Sequence, residues 1–239
     1  MDILQTAGWE DYALLDSGNG KRLERFGAVI LDRPDPQALW HPRQPEELWQ
    51  SAHAVFTASD DEQQKKESWR IIKELPKPWH IHWNKFTVSL RLTPFKHTGI
   101  FPEQHVQWQW MQDTIHASQQ SAPRVLNLFA YTGMASLVCA ASGAHVTHVD
   151  ASKPSMTWAR ENQALSRVSD TAIRWILDDA LSFVSREARR GQTYDAIIMD
   201  PPVYGHGPQG QLWDFPQSFP QLIEECTKVL VPHPLFILI

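Results

Sequence analysis

The stretch RVLNLFAYTGMASLVCAASGAHVTHVD, residues 124–150, decides the fold of this chain. Val125–Phe129 is an apolar run with the length of a strand. After a short turn, four apolar residues follow the spacing of one helix face: Met134, Leu137, Val138 and Ala141. Gly143 is placed to end that helix, and His145–Val149 predicts a second strand that ends on Asp150. This pattern is typical of the strand–turn–helix–strand unit of an open α/β sheet.

The turn of this unit indicates which ligand it suits. It carries one glycine, Gly133, between the bulky residues Phe129 and Tyr131 and the helix. A dinucleotide site needs G-x-G-x-x-G, because the backbone must approach a pyrophosphate closely. S-adenosylmethionine has no phosphate and needs a small turn residue, helix N-terminal amides and an acid for its ribose hydroxyls. The turn and Asp150 therefore favour S-adenosylmethionine, and the alternative is an ordinary α/β core in which Asp150 merely ends a strand.

Three further apolar segments predict the remaining strands of the sheet: Ala172–Leu177, Tyr194–Met199 and Leu235–Ile239. Helical patterns separate them, and the last of these is Leu222–Leu230. Since strands alternate with helices, the sequence predicts a doubly wound, mostly parallel α/β sheet. Ligands bind outside the carboxyl ends of such strands, where acids follow the third and fourth strands at Asp178, Asp179 and Asp200.

Residues 1–92 are expected to form a small, mostly β region for accessory or substrate-recognition contacts. Tyr12–Leu15 and Arg22–Phe26 predict a hairpin around a glycine turn, and Trp79–Leu92 alternates as one or two strands. Glu46–Phe56 predicts a short helix, and residues 60–67 a charged surface loop.

Residues 93–122 are expected to connect this region to the α/β domain at 123–239. A glycine loop leads to Pro102, which suits the first turn of a helix that runs to about Ser118. That helix should bury Trp108, Met111 and Ile115 on one face.

Composition restricts the class of protein further. The net charge of −5 gives no general electrostatic case for nucleic-acid binding.

Cys139 and Cys226 fall within predicted helices and are expected to be reduced, buried thiols. The N-terminus lacks the features of a signal peptide, and no apolar run approaches a membrane span, so we expect a cytoplasmic protein with no membrane contact. The eleven tryptophans are expected mainly in the core of the small region, with base stacking as the alternative.

The segment Asp200-Pro201-Pro202 predicts a stiff loop at the end of the fourth strand. Two prolines remove two backbone donors, so the carboxylate and the carbonyls are left to face a planar group that carries donors, such as a nucleobase. A rigid turn after a core strand is the alternative. Residues 206–210 predict a flexible loop. Asp179 is expected to accept from an adenine amine, to cap the following helix, or to do both.

These motifs together resemble a known family. NLFAYTG (127–133), Asp150, Asp179-Ala180 followed by Phe183, and DPP (200–202) are similar to class I S-adenosylmethionine-dependent methyltransferases. GIFPEQ (99–104), DPPVYG (200–205) and LLDSGNGKRLERFG (14–27) resemble the bacterial branch related to large-subunit ribosomal RNA methyltransferases that act on cytosine C5 or guanine N7. The resemblance covers roughly residues 12–239 and implies S-adenosylmethionine as cofactor and an RNA base as substrate.

The resemblance implies two groups of site residues and no metal site. By it, Phe129 to Gly133 line the methionine moiety, Asp150 takes the ribose hydroxyls and Asp179 faces the adenine amine. The cofactor set is Phe101, Gln104, Asn127, Phe129, Ala130, Tyr131, Thr132, Gly133, Asp150, Ala151, Asp178, Asp179, Ala180 and Asp200. The set at the target base is Asp200, Pro201, Pro202 and Tyr204.

Two departures from the family pattern lead to further expectations. Enzymes acting on cytosine C5 add a cysteine thiolate to the base, and the DPP loop here has no cysteine, so C5 chemistry is in doubt. The family sheet ends in a hairpin after its fifth strand, and this chain ends within that strand. We therefore expect a truncated chain whose Leu235–Ile239 edge has one strand partner and can pair with another copy.

Three other functions remain open on the sequence alone. A protein side chain or a small molecule could replace RNA as the methyl acceptor, which the acidic balance favours. The chain could also be a cofactor-binding module without catalysis. A nicotinamide dehydrogenase is the weakest alternative, because the glycines of its fingerprint are missing.

Overall fold

A computed structural model describes residues 6, 8–57, 68–94 and 96–239. The chain divides into two compact units, residues 1–106 and residues 107–239. The roles expected for residues 1–92, 93–122 and 123–239 remain predictions. The charged loop expected at residues 60–67 lies outside the described residues.

The N-terminal unit is built on a five-stranded sheet in the order β1-β2-β3-β4-β5. Its strands are β1 (Tyr12–Gly18), β2 (Lys21–Phe26), β3 (Val29–Pro34), β4 (Ala54–Thr57) and β5 (Ser68–Ile71). All neighbours are antiparallel except β3 and β4. The expected β1–β2 hairpin is present, and its turn places Asn19 at φ 50° and Gly20 at φ 75°. In this left-handed region glycine meets no steric penalty.

The expected helix Glu46–Phe56 is wrong beyond its first residues. Helix α1 covers Glu46–Gln50, and the chain then enters β4. Ala54, Val55 and Phe56 are buried and pair with neighbouring strands, so burial in the sheet overrides the helical pattern there. The strands expected within Trp79–Leu92 are confirmed as a two-stranded sheet of β6 (His80–Trp83) and β7 (Phe86–Ser89).

Tryptophans fill much of the core of the N-terminal unit. Trp9, Trp79 and Trp83 are buried there, as the sequence predicts, whereas Trp40 is exposed. A short 3-10 helix, Pro102–Gln104, leads directly into α2 (His105–Ala117). The burial of Trp108, Met111 and Ile115 in α2 is also as predicted.

The C-terminal unit contains the predicted parallel sheet. Its strands are β8 (Arg124–Leu128), β9 (His145–Asp150), β10 (Ile173–Leu177), β11 (Ala196–Met199) and β14 (Phe236–Leu238), in the order β10-β9-β8-β11-β14. The helices between them are α3 (Met134–Ala141), α4 (Lys153–Leu165), α5 (Ala180–Arg189) and α6 (Phe215–Val229). Every pairing in this sheet is parallel, which confirms the predicted doubly wound α/β class with a small β region before it.

Two segments of this unit differ from the sequence prediction. The loop expected at residues 206–210 is the connection of an antiparallel hairpin, in which His206 ends β12 (Tyr204–His206) and residues 207–211 lead to β13 (Leu212–Asp214). Helix α6 begins at Phe215, well before the expected Leu222, because Pro216 fits a first turn and the helix tolerates Pro220 inside it.

Strand β14 lies at the edge of the sheet. It pairs with β11, with Phe236 opposite Ala196 and Leu238 opposite Ile198. Within the described part of the chain, β14 pairs with β11 alone. Self-association through this edge remains a prediction.

A buried ion pair joins the first three strands of the N-terminal unit. Both guanidinium nitrogens of Arg33 that face Glu24 donate to its carboxylate, Nε at 2.7 Å and Nη2 at 2.8 Å. The hydroxyl of Tyr12 donates to Glu24 Oε1 at 2.9 Å, and burial together with the charge of Glu24 raises the pKa of Tyr12. Arg33 Nη1 donates to the carbonyl of Lys96 at 3.0 Å. Glu24 is fully buried, and the second cation near it is the partly exposed Arg22, with Nε 3.2 Å from Glu24 Oε2. Removal of Arg33 therefore takes away the buried partner of a buried charge.

We therefore predict that Arg33→Met destabilises the protein by about 3–5 kcal/mol, the range for breaking a buried pair. The free energy of unfolding from chemical denaturation measures the effect. Lys21→Met is the matched control, because Lys21 pairs with Asp32 at 3.2 Å but is half exposed, and its loss should cost less than about 1 kcal/mol. Equal effects of the two substitutions would contradict the assignment.

Candidate cofactor site at the carboxyl ends of the parallel strands

The turn after β8 has an unusual backbone. Phe129 lies at φ 53°, Tyr131 at φ 50° and Gly133 at φ 89°, all in the left-handed region. For the two residues other than glycine this region carries a steric penalty of roughly 1–2 kcal/mol each. Such a conformation persists only where the surroundings hold it, and it concentrates at functional sites.

Gly133 is required by both its φ angle and its neighbours. A Cβ at this position would lie 3.1 Å from Cβ of Ala159 on α4 and 3.6 Å from Cε1 of His148 on β9. Helix α4 therefore packs directly under the start of α3. The single glycine of the motif serves this close packing and the turn.

The carboxylate of Asp150 joins the turns that follow β8 and β9. Its Oδ2 accepts from the backbone N–H of Tyr131 at 2.7 Å, and its Oδ1 accepts from that of Ser152 at 2.8 Å. Burial raises the pKa of Asp150, while the two backbone donors act in the opposite direction. Because each carboxylate oxygen can accept more than one hydrogen bond, the group keeps capacity for a further pair of donors.

The acids after β10 have contacts of their own. Asp179 caps α5, since its Oδ1 accepts from the N–H of Ser182 at 2.8 Å. Asp178 forms an ion pair with Arg186, and its N–H donates to the carbonyl of Asp150 at 3.1 Å. The capping role considered for Asp179 is thus present. It uses one carboxylate oxygen and does not exclude an adenine contact through the other.

A buried polar chain lies beneath the turn. Asn127 Nδ2 donates to Ser136 Oγ at 2.9 Å, and Ser136 Oγ lies 3.0 Å from His148 Nδ1. Asn162 Nδ2 donates to the carbonyl of Thr132 at 3.0 Å, so α4 also holds the turn. The amide of Asn127 thus lies in the core, and its expected cofactor role remains a prediction. The sequence analysis did not single out Ser136, His148 or Asn162. Ser136 is a polar residue inside the otherwise apolar α3, whereas β9 and α4 contain other polar residues that mask the signal of His148 and Asn162.

His148 is neutral in this setting. Burial, and then the charge of Arg160, lower its pKa to about 3. Among the described residues its Nε2 has no hydrogen-bond partner. The ring lies 4.5 Å from that of Trp175, between centroids.

The loop after β11 is held by a residue that the sequence analysis did not identify. Trp213 on β13 donates from Nε1 to the carbonyl of Pro202 at 2.6 Å. Its ring centroid lies 4.7 Å from that of Phe129. Tyr204 is exposed beside this loop, with its ring 5.3 Å from that of His206. In the sequence, Trp213 is marked only as a large aromatic residue that lies after Pro201-Pro202 and just before the start of α6.

The structure thus brings the predicted residues into two contacts in the C-terminal unit. Asp150 contacts Tyr131 directly, and Trp213 connects Pro202 with Phe129. Ala151 follows Asp150 directly, and Ala180 is the buried first residue of α5. The expected residues Phe101 and Gln104 belong to the N-terminal unit, and their contribution remains a prediction.

Among the described residues, no group of three or more His, Cys, Asp or Glu side chains is placed to hold a metal ion. None of the helices described is long and apolar enough to cross a membrane.

The site therefore fits S-adenosylmethionine better than a dinucleotide. It offers a carboxylate at the tip of β9 and a turn with one glycine, and it lacks the glycine-rich cradle of a pyrophosphate. The model of the S-adenosylmethionine-dependent methyltransferase family matches residues 33–237. The chain belongs to this family of S-adenosylmethionine-dependent methyltransferases, which confirms the predicted cofactor and enzyme class at the level of the family.

Particular relatives place the chain within the family. It is 32% identical over 147 residues to the ribosomal RNA large subunit methyltransferase K/L of Shewanella frigidimarina, which is 61% of this chain and 20% of the relative. The corresponding protein of Pseudoalteromonas atlantica is 30% identical over 173 residues, or 72% of this chain and 23% of the relative. The chain thus spans about a fifth of the length of these curated relatives.

Solved structures support the fold. The S-adenosylmethionine-dependent methyltransferase from Agrobacterium tumefaciens superimposes with a TM-score of 0.90 at 44% identity, over 97% of this chain and 73% of that one. SMU.776, a methyltransferase complexed with SAH, superimposes with a TM-score of 0.69 at 20% identity, over 92% of this chain and 58% of that one.

We predict that Asp150→Ala weakens the binding of S-adenosylhomocysteine by about 2–4 kcal/mol, since a pair of charge-assisted hydrogen bonds is lost. Isothermal titration calorimetry measures the affinity, and a melting curve checks that the variant is folded. Asp170→Ala, on the exposed loop before β10, is the control and should bind as the wild type does. Unchanged affinity in Asp150→Ala would refute the role of this carboxylate.

The neutral state of His148 predicts a pH dependence of stability. Above pH 6.5 the residue is neutral in both the folded and unfolded states. Below that pH the unfolded chain binds a proton that the folded chain takes up only near pH 3. The stability contributed by His148 is thus lost as pH falls from 6.5 toward 3, by up to about 1.4 kcal/mol per pH unit.

Urea denaturation of the wild type and of His148→Asn at several pH values measures this slope. The variant should lose stability less steeply with falling pH than the wild type. The exposed residue His116 gives the control, because His116→Asn should keep the wild-type slope. Parallel slopes for all three proteins would show that His148 does not titrate in this way.

Proposed function

We propose that this chain transfers a methyl group from S-adenosylmethionine to a base of ribosomal RNA. The observation that carries the proposal is the Asp150 carboxylate at the tip of β9, joined to the left-handed turn after β8. The curated relatives are ribosomal RNA large subunit methyltransferases K/L, which supports the substrate class. This chain matches only about a fifth of the length of those relatives, so their activity is a proposal for this chain.

In this proposal the strand tips hold the cofactor. Asp150 accepts from the ribose hydroxyls, and the turn from Phe129 to Gly133 lines the methionine moiety. Asp179 offers its remaining carboxylate oxygen to the adenine amine. Ala151, Asp178 and Ala180 flank these acids in sequence and complete the pocket wall. Phe101 and Gln104 are proposed as further cofactor contacts.

The loop Asp200-Pro201-Pro202 is proposed to receive the target base. Its carboxylate and carbonyls accept hydrogen bonds from the exocyclic or ring N–H groups of a base. Tyr204 is 60% exposed beside it and offers a ring for stacking, which is how proteins commonly hold an unpaired base. The bound cofactor supplies an activated methyl group on a sulfonium centre. The protein's own part is to hold the acceptor atom in line with that group and to keep water out.

The thiols of the chain favour an acceptor that reacts without a covalent step. Cys139 lies in α3 and Cys226 in α6, and both are buried. Burial raises the pKa of each thiol to about 12, so neither is a thiolate near neutral pH. Methylation of cytosine C5 needs such a nucleophile, whereas a ring nitrogen such as guanine N7 or an amine does not. We propose a nitrogen acceptor.

Transfer of a radioactive methyl group tests the proposal. Purified chain, labelled S-adenosylmethionine and unmodified ribosomal RNA should give labelled RNA, and a protein mixture or small-molecule acceptors should not. Label in protein or small molecules alone would favour the rival acceptor that the net charge of −5 suggests. Binding of S-adenosylhomocysteine without transfer to any acceptor would leave a cofactor-binding module and refute the proposed activity.

The double variant Cys139→Ser, Cys226→Ser separates the two kinds of chemistry. We predict that it keeps the wild-type rate within about twofold once its lower stability is allowed for, because neither thiol reaches the acceptor. The initial rate of transfer at a temperature well below melting is the measurement. Loss of activity with intact affinity for S-adenosylhomocysteine would restore cytosine C5 as the target.

A further inference from the structure

The hairpin β12–β13 is a small element with one side chain, Trp213, buried in the core. It has three residue pairs, from Tyr204 opposite Asp214 to His206 opposite Leu212. A two-stranded hairpin of this size is marginal by itself in water. Its residues Tyr204, His206 and Leu212 are exposed, whereas Trp213 is 3% exposed and belongs to the core of the C-terminal unit. The position of the hairpin therefore depends on Trp213.

The indole of Trp213 makes two specific contacts. Its Nε1 donates to the carbonyl of Pro202 at 2.6 Å, in the loop proposed to receive the base. Its ring packs on Phe129 with the centroids 4.7 Å apart and the planes tilted by 59°. Phe129 is the first left-handed residue of the turn proposed to hold the cofactor. One side chain thus contacts both halves of the proposed site.

A backbone hydrogen bond also holds the end of the hairpin, but it makes no contact with the cofactor turn. The N–H of Phe215 donates to the carbonyl of Val203 at 3.0 Å, where β13 passes into α6. This bond holds the hairpin to its own base. Strands β8 and β11 bring the two segments to neighbouring strand tips, with Met199 opposite Leu128. Beyond the strand ends, the indole of Trp213 contacts both segments.

We propose that Trp213 is a positioning residue that fixes the acceptor loop against the cofactor turn beyond the ends of β8 and β11. The proposal rests on the proposed function and adds a residue to it. Methyl transfer needs the acceptor atom in line with the methyl group, and a misplacement of about 1 Å can lower the rate by on the order of 100-fold. Trp213 acts through Pro202 and Phe129, so its loss should affect turnover more than cofactor affinity.

The substitution Trp213→Phe tests the hydrogen bond, because it keeps an aromatic ring beside Phe129 and removes the donor to Pro202. Trp110→Phe is the matched control: it makes the same chemical change in the same unit, at a ring 5.1 Å from that of Phe236. The kcat, the KM for unmodified ribosomal RNA and the Kd of S-adenosylhomocysteine are measured for each full-length protein, well below its melting temperature.

Trp213→Phe should lower kcat by about 10- to 100-fold and change the Kd of S-adenosylhomocysteine by less than about twofold. Trp110→Phe should leave both quantities as in the wild type. Hydrogen exchange supplies a readout that does not depend on activity. The amides of residues 203–214 should exchange at least about tenfold faster in Trp213→Phe, while those of β8 and β11 keep their protection.

Three other results would overturn either the proposal on Trp213 or the proposed function. If the wild type is active and Trp213→Phe matches its kcat, or the hairpin keeps its protection, the proposal on Trp213 is wrong. A parallel fall of kcat, affinity and melting temperature would also overturn it, because it would show a merely structural role. If the wild type transfers no methyl group to any acceptor, the proposed function itself fails.

Discussion

The hydrogen bonds of one partly buried carboxylate organise the site of this protein. Asp150 ends β9 and accepts from the backbone of Tyr131, in the turn after β8, and from that of Ser152, at the start of α4. The two central strands of a parallel sheet end side by side, so an acid at one tip can reach the turn of the other. This single group holds the turn backbone and, in the proposed function, accepts from the ribose hydroxyls of the cofactor. The same carboxylate thus serves both the fold and the proposed binding function.

The strain of the turn is offset by the polar layer beneath it. Two residues other than glycine lie in the left-handed region, which costs roughly 1–2 kcal/mol each. Asn162 holds the carbonyl of Thr132, while Ser136 lies between Asn127 and the neutral ring of His148. Buried groups of this kind are costly unless they are paired, so the hydrogen bonds among them favour one conformation of the turn. We infer that the site is largely formed before any ligand binds.

The sequence predicted those features that depend on periodicity and on strand ends. Alternating strands and helices predicted the parallel sheet. The pattern of the second strand predicted that Asp150 lies at its carboxyl end. Features that depend on distant contacts were missed. Ala54 to Phe56 form a strand because partners on both sides bury them, and a helical pattern cannot show that. Trp213 was missed because its partners, Pro202 and Phe129, lie 11 and 84 positions away, and neither spacing nor composition reveals such a contact.

We propose that the strand tips around Asp150 bind S-adenosylmethionine and do not bind a dinucleotide. Titration of the purified chain with S-adenosylhomocysteine and, separately, with NAD by isothermal titration calorimetry tests it most directly. The structure predicts a single site for S-adenosylhomocysteine, and no measurable heat with NAD, since the turn has no glycine-rich cradle for a pyrophosphate. Binding of NAD in place of S-adenosylhomocysteine, or of neither ligand by a folded chain, would contradict the account.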